Sequence, residues 1–114
     1  MATETTESFA IALRELVLEH DYTTGTGNPN WSAFSAELDE VHYETLRRAV
    51  AGERPPSPLL MEECARVLRV RPEYFLEYRV HLAKRDFDPR EVGVDRALQN
   101  LRTWASVRAN RQAD

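Results

Sequence analysis

The sequence predicts an all-α fold of five or six helices. Apolar residues recur at helical spacing along most of the chain. Serine, asparagine or aspartate stands before several of these runs, and proline or glycine interrupts the chain between them. No segment alternates polar and apolar residues convincingly enough to indicate a strand. With 114 residues, the chain is long enough for one domain with a buried core.

The first predicted helix runs from about Ser8, its expected cap, to His20. The residues expected on its buried stripe are Phe9, Leu13, Leu16, Val17 and His20. Ile11 and Leu18 lie off that stripe, so the helix is apolar more than halfway round. Such a helix is expected to be central or to be covered on its outer side by another element.

A short helix is predicted over residues 31–38, after the loop "YTTGTGNPN". Asn30 is expected to cap it by accepting hydrogen bonds from first-turn amides. Phe34 and Leu38 lie four residues apart and are expected to face the core. The residues "DEV" then turn the chain into the next helix.

The segment "HYETLRRAVAG", residues 42–52, predicts an amphipathic helix with His42 at its N-cap. Leu46, Ala49 and Val50 form its expected buried side, and Gly52 suits the left-handed residue that ends a helix. The residues expected on the outer side are Tyr43, Glu44, Arg47 and Arg48, with His42 and Thr45 near the front. For an arbitrary helix, this pattern indicates a solvated face with a Glu44–Arg48 pair.

Further helices are predicted over 58–69, from Pro72 onward, and from Asp88 to about Arg108. Gly93 can split the last of them, in which case Asp95 is expected to cap the longer part. The apolar stripe of that last helix must be buried, either on the first helix or, as we favour, in a dimer. It comprises Leu98, Leu101, Trp104 and Ala105.

Charge is distributed unevenly around a formal net charge of -4. Residues 1–41 contain eight acidic residues and one basic residue, whereas residues 42–114 contain eleven acidic and fourteen basic ones. A locally basic face can therefore still contact a nucleic acid. No apolar run approaches the length of a membrane span. The polar N-terminus lacks a signal pattern, and the single Cys64 excludes an internal disulfide, so we expect a cytoplasmic protein.

Enzymatic chemistry is not expected. The three histidines are far apart in sequence, and no pair has the spacing of a zinc site. Cys64 lies on an apolar helical face, which is typical of a small core residue. The glycine-containing stretch "TGTGNP" lacks the lysine of a phosphate loop. We therefore expect no metal, no cofactor and no catalytic residue.

Three segments together resemble the lambda-repressor/Cro-like, or Xre-type, helix-turn-helix family. They are "FSAEL", "VHYETLRRAVAG" and "RPPSPLLMEECARVLRVRPEYFL". The residues that fill family positions are Phe34, Ser35, Leu38, Val41, His42, Thr45, Leu46, Gly52, Pro56, Ser57, Ala65, Leu68, Val70, Pro72 and Phe75. The resemblance covers about residues 9–76.

Three departures from the family pattern concern the first half of the motif. Trp31 stands where the family often has glutamine. The turn before residue 42 has one extra residue, "DE" where a glycine is usual. The loop over 22–30 is also longer than in the family. These changes weaken the transfer of residue roles near Trp31 more than they weaken the fold assignment.

The resemblance implies a sequence-specific transcriptional regulator that binds double-stranded DNA with the helix over 42–52 in the major groove. It implies base contacts from the outer residues of that helix: His42, Tyr43, Glu44, Thr45, Arg47 and Arg48. It implies phosphate contacts from Asn30, Trp31, Ser32 and Arg54. A homodimer associated with the nucleoid is then expected.

The resemblance also implies a division of the chain, with a lambda-repressor-like domain over 8–80. A disordered tail is expected over 1–7, a C-terminal helical extension over 81–110 and a second tail over 111–114. Two other functions remain open. One is an architectural DNA binder with little sequence preference. The other is a protein-interaction module that uses the apolar outer face of the first helix.

Overall fold

Seven α-helices account for the regular structure of the chain in a computed structural model, which describes the backbone of residues 4–113 and the side chains of residues 4–106. They are α1 (Phe9–Glu19), α2 (Trp31–Ser35), α3 (Tyr43–Val50), α4 (Pro58–Leu68), α5 (Leu76–Asp86), α6 (Pro89–Val92) and α7 (Val94–Ala113), with a 3₁₀ turn at Pro72–Tyr74. No strand occurs within the described residues, so the all-α prediction is confirmed. None of the described helices has the length and apolar character needed to cross a bilayer.

The number of helices differs from the predicted five or six because the last predicted helix is divided. Gly93 has φ of +88°, a left-handed conformation that ends α6 and allows α7 to begin at Val94. Asp95 therefore lies inside the first turn of α7, and the expectation that it caps this helix is wrong. The chain after Pro72 begins with the 3₁₀ turn, and the α-helix follows at Leu76.

The chain forms two compact units, Met1–Arg79 and Val80–Asp114, with the boundary inside α5. The sequence predicts a similar division, with a domain over 8–80 and an extension over 81–110. Within the expected N-terminal tail, the Thr5 N–H donates to the Tyr74 carbonyl at 3.0 Å, and Arg79 Nη2 donates to the Thr5 carbonyl at 2.6 Å. Residues 1–3 and 114 lie outside the described residues, and α7 continues to Ala113.

The core of the first unit combines residues from α1, α2, α3 and α4 with Phe75. Phe9 and Phe75 meet edge to face, with ring centroids 4.9 Å apart. The largest fully buried side chains are Phe9, Phe34, Phe75, Leu13, Leu46, Leu60, Met61, Leu68, Val17 and Cys64. The predicted stripe of α1 is correct except at His20, which is exposed and lies one turn beyond the last buried residue, Val17. Burial of this many large apolar groups is the main stabilising contribution to the unit.

Two helix N-termini are satisfied in different ways. Asn30 caps α2 as predicted, because its side-chain oxygen accepts the Ala33 N–H at 3.1 Å. Ser8 occupies the N-cap position of α1, but its side chain makes no capping hydrogen bond. The Phe9 N–H instead donates to Glu77 Oε2 of α5 at 2.8 Å. A carboxylate 68 residues away thus supplies part of the cap that the sequence assigned to a neighbouring serine.

The turn between α2 and α3 is held by Glu63, a nearly buried residue of α4. Its Oε1 accepts the backbone N–H of Asp39 at 2.7 Å and that of Glu40 at 3.0 Å. Arg66 donates from Nε to Glu63 Oε2 at 3.0 Å, and from Nη2 to the Glu37 carbonyl at 3.1 Å. Two side chains of α4 therefore hold this turn: Glu63 accepts from its backbone N–H groups, and Arg66 donates to one of its carbonyls. Charged acceptors make such bonds stronger than neutral ones.

These hydrogen bonds also lower the pKa of Glu63. The largest cause is the hydrogen bond from the Glu40 N–H, followed by those from Arg66 and the Asp39 N–H. A carboxyl whose pKa is lower in the folded state stabilises the fold at any pH above its unfolded-state pKa, about 4.3 for glutamate. That contribution is lost as the pH falls through the folded-state pKa.

We predict that Glu63→Gln lowers the melting temperature by several degrees at neutral pH. The neutral amide no longer attracts Arg66 and accepts the two turn N–H groups more weakly. The measurement is thermal unfolding followed by circular dichroism between pH 3 and pH 7. The difference between wild type and variant should shrink as the pH falls below about 4.3.

Glu62→Gln is the matched control for this prediction, because Glu62 is the neighbouring residue of the same type and is exposed. Its melting temperature should stay close to that of the wild type. Equal destabilisation by the two substitutions, or a Glu63 effect that does not depend on pH, would contradict the role of Glu63 in the turn.

Candidate nucleic-acid interface

Helix α3 is oriented by two residues on its inner side. Leu46 is fully buried, and Ala49 is buried beside it, while Val50 is half-buried. Because these positions recur every three or four residues, they place one face of α3 in the core and the opposite face in solvent. The predicted buried side of this helix is therefore correct, with Val50 at its edge.

The C-terminus of α3 has the hydrogen bonds of a Schellman motif. The Glu53 N–H donates to the Arg48 carbonyl at 2.9 Å, and the Gly52 N–H donates to the Ala49 carbonyl at 3.2 Å. Gly52 has φ of +78°, as the sequence predicted. This turn ends α3 abruptly and directs Glu53 and Arg54 alongside the last turn of the helix.

The six outer residues predicted for α3 are all at least partly accessible, but they do not share one side of the helix. His42, Tyr43, Glu44, Thr45 and Arg47 are exposed, and Arg48 is half-buried. His42 occupies the N-cap position, but its side chain makes no capping hydrogen bond. The negative charge of Glu44 in the first turn stabilises this end of the helix through the helix dipole. At about 3.6 residues per turn, Glu44, Arg47 and Arg48 lie opposite the buried Leu46 and Ala49. His42, Tyr43 and Thr45 lie nearer the buried side, at the N-terminal end of the helix.

The charged residues on the side of α3 opposite its buried residues bind one another. Glu44 accepts from Arg47 Nη2 at 2.7 Å and from Arg47 Nε at 3.0 Å, a two-point contact on the guanidinium. Glu44 Oε1 also accepts from Arg48 Nε at 3.2 Å, and Glu53 Oε2 lies 3.6 Å from Arg47 Nη2. We call Glu44, Arg47, Arg48 and Glu53 the α3 charge cluster. It contains two positive and two negative side chains.

The pKa values in the charge cluster follow from these contacts. The hydrogen bond from Arg47 is the largest cause that lowers the pKa of Glu44 to about 2, with Arg48 adding a further decrease. Glu44 in turn raises the pKa of Arg47, and Glu53 contributes to that increase. Glu44 and Arg47 are therefore both charged at neutral pH. The sequence indicated the Glu44–Arg48 pair but not the closer Glu44–Arg47 contact or the contribution of Glu53.

A shallow cavity of about 200 Å³ adjoins the charge cluster, between the end of α3 and the start of α4. Arg48 and Arg54 both line it, so the loop arginine predicted to contact phosphate lies beside the outer face of α3. The complete lining is Glu44, Thr45, Arg48, Ala49, Arg54, Pro55, Ser57 and Leu60. The sequence analysis did not anticipate that Pro55 and Ser57 help to form this site.

The three residues predicted to contact phosphate at the start of α2 have different environments. Asn30 uses its side-chain oxygen to cap the helix. Trp31 is half-buried, and its ring lies edge to face with Phe34 at a centroid distance of 6.4 Å. Ser32 is exposed. None of the three lines the cavity beside Arg48, so the structure does not join them to Arg54 in one site.

The metal-binding potential and the cysteine of the described residues can be stated from their geometry. Among the described residues, no group of three or more His, Cys, Asp or Glu side chains is placed to hold a metal ion. Cys64 is fully buried, and burial raises the pKa of its thiol to about 12. A thiol with so high a pKa carries almost no thiolate at neutral pH and is unreactive.

We predict that the pKa of Glu44 depends mainly on Arg47. In the wild type the Glu44 carboxyl should titrate at about pH 2. Arg47→Gln should raise this pKa toward the ordinary value, and Arg48→Gln should raise it less, because the hydrogen bond from Arg47 is the larger cause. The measurement is the carboxyl ¹³C chemical shift of Glu44 as a function of pH. Equal effects of the two substitutions, or a wild-type pKa in the ordinary range, would contradict the cluster geometry.

Comparison of the chain with protein-family models, with curated proteins and with solved structures found no match. The helix-turn-helix resemblance therefore rests on the residues in "FSAEL", "VHYETLRRAVAG" and "RPPSPLLMEECARVLRVRPEYFL".

Proposed function

We propose that the chain is a sequence-specific transcriptional regulator that binds double-stranded DNA, with α3 as the helix that enters the major groove. The observation that carries the proposal is that Arg47 and Arg48 lie on the side of α3 opposite its buried residues, and that Arg48 lines one cavity together with Arg54. A helix anchored in this way presents its outer side chains to a groove of DNA without rearrangement of the core.

To contact bases, Arg47 and Arg48 must break their hydrogen bonds to Glu44 and form new ones to DNA. Exposed ion pairs are weak and are screened by salt, so guanine O6 and N7 or a phosphate can compete for Arg47 and Arg48. A bidentate arginine–guanine contact discriminates against a wrong base by about 1–3 kcal/mol. Glu44, once released, can accept a hydrogen bond from cytosine N4, and Tyr43 and Thr45 are proposed to contact a phosphate or a thymine methyl group.

Glu44 and Glu53 favour this proposal over an architectural DNA binder. An architectural protein derives its affinity from cations that neutralise phosphates regardless of sequence. Here two carboxylates lie beside Arg47 and Arg48 and repel phosphates, and the formal net charge of the chain is -4. Such a face binds DNA of arbitrary sequence weakly. It binds well only where base edges offer the arginines and the released carboxylates hydrogen bonds that replace their ion pairs.

A protein-interaction module remains a second candidate because of the outer face of α1. Ile11 there is 51% exposed, and Glu15 and Glu19, four and eight residues further along the same helix, are exposed as well. An acidic surface with an exposed isoleucine repels DNA and suits a basic, partly apolar protein partner.

We predict that Arg47→Ala combined with Arg48→Ala lowers affinity for the preferred duplex by about tenfold or more, since each lost bidentate contact removes about 1–3 kcal/mol. The preferred duplex is first obtained by selection from a random-sequence pool at two salt concentrations. Affinity is then measured by fluorescence anisotropy on that duplex and on a scrambled one.

The matched control is Arg14→Ala combined with Arg71→Ala, which removes two exposed arginines outside α3. This variant should lose much less affinity. Unchanged binding by the Arg47/Arg48 variant would show that α3 is not the helix that binds in the major groove. Salt-sensitive binding without any enriched sequence would support the architectural function, and no binding at about 50 mM salt would support the interaction module.

We further predict that Arg54→Ala weakens binding to the preferred and scrambled duplexes by the same factor. A residue that contacts phosphate carries no sequence information, and its loss lowers the slope of log affinity against log salt by about 1. Anisotropy titrations between about 50 and 200 mM salt measure that slope. If Arg54→Ala changed sequence preference and left the salt slope intact, Arg54 would be a base-reading residue.

A further inference from the structure

The described part of α7 carries an apolar seam with the spacing of a coiled coil. Val94, Leu98, Leu101 and Ala105 follow one another at intervals of four, three and four residues. Alternation of these intervals keeps side chains on one stripe of a helix that packs against another helix. Val94 is 62% exposed, Leu98 45% and Leu101 48%, so the second unit does not bury the seam within itself.

The two flanks of this seam differ. On one flank Ala97 is 6% exposed, and Trp104 lies edge to face with Phe87 at a centroid distance of 6.4 Å. Further round on the same side, Asn100 Nδ2 donates to the Asp86 carbonyl at 2.7 Å. The segment around Asp86 and Phe87 therefore covers this side of α7.

The other flank carries Asp95 and Arg102, which are seven residues apart and both exposed. Residues seven apart lie on the same side of a helix about two turns from each other. The open seam is thus bordered by one negative and one positive side chain, on the side that the unit leaves accessible.

We propose that this seam binds α7 of a second copy of the chain in antiparallel orientation. Around a two-fold axis between residues 99 and 100, Leu98 lies opposite the partner's Leu101, and Val94 lies opposite the partner's Ala105. The same axis brings Asp95 near the partner's Arg102, and the symmetric contact repeats this pair. A parallel arrangement would place the Asp95–Arg102 flanks of the two helices on opposite sides of the seam and form neither pair, so charge complementarity favours the antiparallel dimer.

The dimer gives specific roles to the residues that the sequence assigned to an interface. Leu98, Leu101 and Ala105 form its centre together with Val94, while Trp104 packs within its own unit at the edge of the seam. Formation of the dimer does not depend on DNA. Only the expectation that two copies read an inverted repeat rests on the proposed function.

Charge reversal tests the pairing. Asp95→Arg alone and Arg102→Asp alone should each weaken the dimer by about tenfold or more, because each places like charges together twice. An equimolar mixture of the two variants should recover wild-type affinity, since both pairs are then complementary. The measurement is sedimentation velocity over a range of concentrations without DNA.

Arg96→Asp is the matched control, since Arg96 lies on the side of α7 opposite the seam and is exposed. It should leave the dimer unchanged. Wild-type protein that stays monomeric at all concentrations would overturn the proposal, as would a mixture of the two reversed variants that associates no better than either alone. Because DNA is absent, these results are independent of the proposed regulator function.

Cysteine cross-linking tests the orientation. Leu98→Cys and Leu101→Cys are oxidised separately and as a mixture, and the wild type is the control because its Cys64 is fully buried. The antiparallel dimer predicts a disulfide-linked dimer mainly in the mixture. Efficient cross-linking of Leu98→Cys alone would show a parallel pair and overturn the assigned orientation.

Discussion

The orientation of α3 depends on the hydrogen bonds that the Glu63 carboxylate accepts from the turn before this helix. The carboxylate reaches from α4 to the backbone of Asp39 and Glu40, at the turn that separates α2 from α3. Leu46 then fixes the rotation of α3 about its own axis, because its burial leaves only one face for solvent. A charged acceptor at the turn and an apolar anchor within the helix together decide which side chains are accessible.

The accessible face is close to neutral although it contains two arginines. Glu44 holds both of them, and Glu53 approaches the first, so the face gains no strong attraction for a polyanion. The same carboxylates keep Arg47 and Arg48 in defined positions without DNA. Specific binding then requires a partner that offers these arginines better hydrogen bonds than Glu44 does and also satisfies the released carboxylate.

Local features of this structure were predictable from the sequence, and long-range ones were not. Helical spacing identified Phe34, Leu46 and Ala49 as buried, and glycine chemistry identified the end of α3 at Gly52. The roles of Glu63 and Glu77 escaped prediction, because each accepts from backbone N–H groups more than twenty residues away. The preference of Glu44 for Arg47 over Arg48 depends on side-chain geometry that spacing alone leaves open.

Binding of DNA by α3 can be followed through the chemical-shift change of each arginine Nε–Hε group when a selected duplex is added. We expect large changes for Arg47 and Arg48, a smaller one for Arg54, and a simultaneous change in the Glu44 carboxyl as it loses its two partners. Changes confined to Arg14 on α1, with the α3 charge cluster unaffected, would contradict DNA binding by α3 and identify the outer face of α1 as the binding surface.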